Sequence, residues 1–455
     1  MGEQCGCGFN PVIIVPGIGD CKAYEADGQG KRLRSAWPPD IDAAAMKKLK
    51  KKLALPALRM LLLRHDLGFS KKAGEALAEA LDVMASNPDG TYKHNIRVET
   101  YDAPLSELSE AEQKFIYRML PLRPLADIIG ADHLFYFGFV AIGNTEDTVE
   151  RLRAFVKYVK EKTGHGKVNL AAVSLGGTIT TAYLDAYAHE GDIGRVVGVV
   201  PAFDGSAIIS DIMKKNVAFD DYETLFNELL GKKKAEQILK VTRLIPKKVL
   251  RNFVEAVLET VATAVVGNST TMWGLIPSGE YEALSKRYLA GPEKALIKAQ
   301  ADKAWRVRCD FPALVRKARE NGIDMYSLCG YDVRLLKIVN SDKISSDMIV
   351  HSESESLGAR IAPPGETLGE GYTQANLNCQ NPAHNHLSPD NKVDASCGAL
   401  PDTTWYWSGM EHEEAAVNKP LLELMGLLLS GQGPADVFAD PAYPQFSVFV
   451  KPEKK

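Results

Sequence analysis

The sequence has little net charge, little cysteine and no long apolar run. Its 54 lysines and arginines against 58 aspartates and glutamates leave a formal charge of −4 over 455 residues. That balance gives no basic field for nucleic acid, so no nucleic-acid partner is expected. Cysteine occurs seven times, at positions 5, 7, 21, 309, 329, 379 and 397. An odd number spread so thinly argues against a disulfide framework and for mostly reduced thiols, with at most one or two bridges. The longest uncharged run, from Thr260 to Gly279, carries Asn268, Ser269, Thr270, Thr271 and Pro277, which argues against a membrane span. No basic segment followed by an apolar one opens the chain, and Met1-Gly2 lacks the Ser or Thr at position 6 that myristoylation needs. The expectation is a soluble, cytoplasmic protein, although a signal peptide already removed would leave the same reading. Internal repeats and low-complexity tracts are also lacking.

What is present suits a globular chain: 45% hydrophobic and 25% charged residues, with length enough for a large α/β domain and a substantial insertion. "PVIIVPGIGD" (11–20) is a β-branched apolar run closed by Pro-Gly and Gly, a buried strand entering a glycine loop. "HLFYFGF" (133–139) reads as a second strand. "TEDTVERLRAFVKYVKEKTG" (145–164) places Val149, Leu152, Phe155, Val156 and Val159 at helical spacing, with an acidic start, a basic end and Gly164 as C-cap. Strand "KVNLAAV", helix "GGTITTAYLDAYAH" and strand "GRVVGVVPAF" follow. The alternation predicts parallel strands with right-handed crossovers, a mostly parallel doubly wound α/β sheet.

From about residue 205 helical patterns succeed one another without strands: "YETLFNELLG", "KKAEQILKVTRLI", "VLRNFVEAVLETVATAVV" and a long run ending at 322. "IDMYSLCGYD" (323–332) restores a strand, 352–372 reads as loop, "TTWYW" (403–407) is the last core strand and 415–431 the last helix. The predicted division is therefore a core in two parts, 1–204 and 323–455, around a helical cap or lid insertion at 205–322. The basic run "MKKLKKKLALPALRMLLLRH" (46–65) reads first as lysines on a solvated face with leucines turned inward. Its second reading is a surface in transient contact with anionic lipid.

The segment "VNLAAVSLGGTITTAYL" (168–184) carries the chemistry. A serine hydroxyl needs a base to remove its proton, and its attack on a carbonyl creates an oxyanion that needs donors already in place. A tight strand-to-helix turn meets both needs. Small residues two before and two after the serine let the backbone turn, and the N–H of the next residue points at the oxyanion. Here the pattern is Ala172-Val173-Ser174-Leu175-Gly176, with Gly177 giving the helix room to pack, and Ser174 is the expected nucleophile. The expected oxyanion donors are the backbone N–H groups of Leu175 and of Ile18, in the Pro16-Gly17-Ile18-Gly19 loop.

In such a turn's fold the order along the chain is serine, acid, histidine. Of the histidines after Ser174 (His189, His351, His384, His386 and His412), His412 alone lies between the last strand and the last helix, in "SGMEHEEAAV", and is the expected base. The acid is sought between the strands at 323–332 and 403–407. "HLSPDNKVDAS" offers Asp390, ahead of a turn, with Asp394 next and Glu370 remote. "CQNPAHNH" (379–386) gathers Cys379, His384 and His386 but lacks a clear fourth ligand, Cys397 being distant, so it reads as a polar surface loop; no metal or other cofactor is expected.

These residues resemble the lecithin:cholesterol acyltransferase-like branch of the α/β-hydrolase superfamily, in particular its uncharacterised bacterial members. "PVIIVPGIG" looks like that family's oxyanion element, "VERLRAFVKYVKEKTGHGKVNLAAVSLGG" like its helix and serine elbow, and "NSTTMWGLIPSGEYEAL" (268–284) like the Trp/Pro segment of its cap. "SPDNKVDAS" stands where the family has an Asp-Gly-Thr-Val-like acid loop, and "WSGMEHEE" where it has the catalytic histidine. Val173 departs from the histidine often found before the serine, and Asn391-Lys392 from Gly-Thr. The resemblance implies an α/β-hydrolase fold and a hydrophobic or lipid ester substrate. The cap would supply apolar walls, with Trp273, Leu275 and Ile276 as candidate lining residues or, equally, as packing of the cap on the core. An acyltransferase with the same triad, and a non-catalytic binding protein on a hydrolase scaffold, are the rival readings; oligomeric state is not legible.

Overall fold

Val12–Val15 is a run of four completely buried β-branched residues, and such a strand is stable only inside a sheet covered on both faces. The computed structural model, which describes residues 7–39, 43–119, 122–216, 245–336 and 343–452, places it there. Seven strands form one sheet: β1 (Val12–Val15), β2 (Leu134–Tyr136), β3 (Val168–Val173), β4 (Ile193–Val199), β5 (Asp324–Tyr331), β6 (Thr404–Ser408) and β7 (Phe446–Val448). Their order across the sheet is β7-β6-β5-β4-β3-β1-β2, and every neighbouring pair is parallel. Parallel neighbours require crossovers, so helices cover both faces. The period-2 alternation of β1 shows the two layers: Ile13 and Val15 enter one hydrophobic cluster with Phe155, Ile179 and Tyr183, while Val12 and Ile14 enter another with Leu125, Leu421 and Met425.

The Thr145–Thr163 helix begins and ends as its sequence requires. Asn144 caps it by accepting hydrogen bonds from the N–H groups of Glu146 (2.9 Å) and Asp147 (3.2 Å), and Gly164 ends it at φ 69°. The final helix, Lys419–Ser430, starts later than the expected 415. Pro420 sits in its first turn with Asn418 as cap, and 412–417 instead winds as a tighter 3₁₀ segment. Several elements lie outside those expectations. Phe446–Val448 is a three-residue edge strand, too short for periodicity, and Ala23–Ala26, Arg32–Trp37 and Ile96–Val98 form a small antiparallel sheet.

Between β4 and β5 the described residues are helical, from Ala207–Lys214 to Phe311–Glu320; "YETLFNELLG" and nearly all of "KKAEQILKVTRLI" lie outside the described residues. The Ala43–Leu63 helix corrects one expectation. Met60 is buried, but Leu55, Leu58, Leu61, Leu62 and Leu63 are exposed rather than turned inward. Among the described residues no helix is long and apolar enough to cross a membrane, and the six cysteines form no disulfide.

Candidate active site

At the carboxyl end of β3 the chain must reverse from strand to helix within one residue, and that residue is Ser174, at φ 52° and ψ −119°. A side chain tolerates this conformation at a cost of about 1–3 kcal/mol. Neighbours hold it there: its N–H donates to Val199 O (3.1 Å), and its carbonyl accepts from Gly177 N–H (2.9 Å) and Ala202 N–H (2.8 Å). The small residues have a steric reason. A methyl on Gly176 would lie 2.0 Å from Val15 O, and one on Gly177 2.8 Å from Pro201 Cβ.

The Gly17 loop comes against the serine, since a methyl there would stand 3.1 Å from Ser174 Cβ and 3.5 Å from Oγ. Ile18 and Leu175 each begin a helical turn, where a backbone N–H has no carbonyl partner within its own helix. The next peptide, Ile18–Gly19, is held by Trp37, whose indole Nε1–H donates to Ile18 O at 2.6 Å.

His412 follows β6 and lines the same cavity as Ser174, of about 360 Å³. Its partner is Asp347, not Asp390. His412 Nδ1 hydrogen-bonds Asp347 Oδ2, and His412 N–H donates to Asp347 O at 2.7 Å. The other carboxylate oxygen of Asp347 accepts from the N–H groups of Ile349 (2.9 Å) and Val350 (2.7 Å). Burial alone would lower the His412 pKa, but the charge and hydrogen bond of Asp347, with Glu413 and Asp20 adding, outweigh it and raise the value above that of an ordinary imidazole.

Asp390 instead accepts from Tyr331 OH (3.2 Å) and Ser388 Oγ (2.6 Å). Asp394 is taken up by Tyr372 OH (2.8 Å), Ala375 N–H (2.8 Å) and Ser396, and Glu370 is exposed. The sequence carried a signal for the histidine's partner. Asp347-Met348-Ile349-Val350 has the same Asp-x-x-Val spacing as Asp390-Asn391-Lys392-Val393, and the second residue of each is at positive φ, 85° in Met348 and 56° in Asn391. The two loops turn alike, and only the first reaches the histidine.

Two further carboxyls shape the site. Burial, opposed by a hydrogen bond from Gly17, pushes Asp20 up to about 6. Glu355 is fully buried beside Asp347; burial first, then the Asp347 charge, raises its carboxyl well above the ordinary range, and Gly330 N–H donates to its Oε2 at 2.8 Å. Trp273, Leu275 and Ile276 do not line the cavity. They are packed with the core helices in the hydrophobic cluster that contains Ile179 and Tyr183, because the segment carrying them lies on the sheet's helical layer. The apolar walls come instead from Leu122, Val173, Val199, Ile349, Leu422 and Met425.

No protein-family model matches the sequence, and no curated protein matches it. Among solved structures, an alpha/beta hydrolase enzyme from a Medee basin deep-sea metagenome library is similar at 11% identity, over 63% of this chain and 80% of its own, with a TM-score of 0.19. A structure from work on carboxylesterases of the ammonia-oxidizing thaumarchaeon Nitrososphaera gargenis is similar at 11% identity, over 69% of this chain and 93% of its own, with a TM-score of 0.18. The chain's own strand order, with a serine on the turn that leaves β3, is that of the α/β-hydrolase fold.

Proposed function

We propose that the protein is a serine hydrolase cleaving carboxylic esters of hydrophobic or lipid substrates through an acyl-serine intermediate. One observation carries the reading: a serine held on a strained strand-to-helix turn shares a cavity with a histidine whose Nδ1 is held by a buried carboxylate. In that arrangement His412 Nε2 takes the Ser174 proton as Oγ bonds to the ester carbonyl carbon. The carbonyl oxygen becomes the oxyanion, for which the N–H groups of Ile18 and Leu175 are the donors, each worth about 3 kcal/mol to the transition state. Collapse expels the alcohol, which leaves with the proton from His412, and water repeats the sequence to release the acid. Asp347 takes the orienting role expected of Asp390.

The largely apolar cavity wall supports a hydrophobic acyl group, and the resemblance to the lecithin:cholesterol acyltransferase-like branch points to the same class. The exposed leucines of Ala43–Leu63 beside Lys51, Arg59 and Arg64 support transient contact with an anionic lipid surface, where such a substrate would be met.

The test is a fluorophosphonate probe with a short aryl ester assay. Wild-type protein labels at Ser174 and hydrolyses the ester; Ser174→Ala takes no label and loses roughly 10³-fold or more of its turnover while keeping its near-ultraviolet circular dichroism. Labelling elsewhere, or turnover retained in Ser174→Ala, overturns the proposal.

A further inference from the structure

Away from the serine, the long excursion between β5 and β6 brings together residues that look unconnected along the chain. The ligand atoms of Cys379, His384, His386 and Asp402 all lie within 4.8 Å of one another. Cys379 Sγ is 3.6 Å from His384 Nδ1, which is 2.9 Å from Asp402 Oδ1, and His386 Nε2 is 3.2 Å from that same oxygen. A tetrahedral zinc with bonds of 2.0–2.3 Å holds its ligand atoms roughly 3.3–3.8 Å apart, so the four atoms need only a small adjustment to share one ion. The fourth ligand, missing from "CQNPAHNH", is Asp402, in the turn that leads into β6.

A second observation comes from the proton on His386. Gln445 Nε2 donates to Pro401 O (2.9 Å) and Thr404 O (3.2 Å), which turns its Oε1 toward His386 Nδ1 at 2.9 Å. Nδ1 must therefore carry a hydrogen, and in the neutral ring Nε2 is a bare lone pair. His386 is completely buried, and its Nε2 has no hydrogen-bond partner although a carboxylate oxygen is 3.2 Å away. A bare, buried lone pair 3.2 Å from a carboxylate oxygen is unfavourable, and a cation held by both atoms relieves it. An imidazole whose far nitrogen is fixed by a carbonyl acceptor is also the usual setting of a histidine metal ligand.

We propose that Cys379, His384, His386 and Asp402 bind one divalent cation of zinc-like chemistry, with Gln445 orienting His386. Thiolate, imidazole and carboxylate together suit zinc rather than magnesium or calcium, which take oxygen ligands. The role is structural. The cluster lies at the amino end of β6 and Ser174 at the carboxyl edge of the same parallel sheet, separated by a five-residue strand, about 16 Å along the chain direction. The ion would staple the 343–403 excursion to the start of the strand that ends in the His412 loop.

The experiment uses the full chain, stripped with chelator and titrated with zinc alone, then with cobalt alone. One equivalent of zinc is expected to bind and raise the thermal midpoint, and cobalt to give the visible bands of a tetrahedral site with a sulfur-to-metal charge-transfer band. Cys379→Ser should abolish that charge-transfer band, and His386→Gln and Asp402→Asn should each weaken binding about tenfold or more. Asp402 is half exposed, so Asp402→Asn keeps the test open if a buried variant fails to fold. A second cluster, Cys7, His133 and His165, supplies the control. The proposal is overturned if the wild-type chain does not bind zinc. It is equally overturned if binding survives Cys379→Ser and Asp402→Asn but is lost in His165→Ala.

Discussion

Two residues without a glycine's freedom sit at positive φ on either side of the proposed proton relay, Ser174 at 52° and Met348 at 85°. The first aims the hydroxyl away from the strand. The second turns the chain so that one Asp347 oxygen takes two backbone N–H groups while the other faces His412. Asp347→Asn should therefore lower kcat by roughly 10³–10⁴-fold, by allowing the wrong imidazole tautomer. The pH profile gives an independent reading. His412 acts as a base only when neutral, and its pKa is raised, so wild-type activity should fall with decreasing pH through a value above 6.5. In Asp347→Asn the largest contributions that raise it are gone, while burial and the smaller contributions of Glu413 and Asp20 remain, so the acid limb should move to lower pH; Asp390→Asn should leave limb and rate close to wild type. That Ser174 and His412 share one cavity was legible because each is fixed by a neighbouring strand and helix. That Asp347 rather than Asp390 pairs with the histidine was not, because the loop is defined by a backbone turn that two aspartates share.

At the scale of elements, the serine turn is built by close approach of backbones. Gly176→Ala would drive a methyl to 2.0 Å from Val15 O, a contact that backbone cannot yield, and should destabilise the protein by ~3 kcal/mol or more, read from denaturant midpoints. Gly166→Ala, with no atom within 4 Å of the added methyl, is the control and should leave the midpoint close to wild type. The central strands announced themselves as short buried runs of Val, Ile, Leu and Ala, and Thr145–Thr163 by its period and caps. The edge strand β7 did not, since three residues half open to solvent carry no pattern. Trp273, Leu275 and Ile276 show the same limit from the other side. Apolar residues on a helical segment look identical whether they face a substrate or a core, and here they face the core.

For the molecule as a whole, the parallel sheet separates its chemistry by edge. The Ser174 and His412 loops leave its carboxyl edge, and the Cys379 cluster belongs to its amino edge. The exposed leucines of Ala43–Leu63 form a third surface. If that surface rests on lipid, the protein should sediment with anionic vesicles more than with zwitterionic ones, and a Leu58→Glu, Leu62→Glu double variant should bind roughly tenfold or more weakly while still hydrolysing a soluble aryl ester. Equal sedimentation of the variant would rule the surface out.

The hydrogen bond from Trp37 to Ile18 O joins the small antiparallel sheet to the loop beside the serine. An indole is a native fluorophore, and this one holds the Ile18–Gly19 peptide, the neighbour of the peptide whose N–H would meet the developing negative charge. Filling the serine pocket should therefore change the emission of Trp37, one of five tryptophans, and Trp37→Phe should remove that change and loosen the loop in a single substitution.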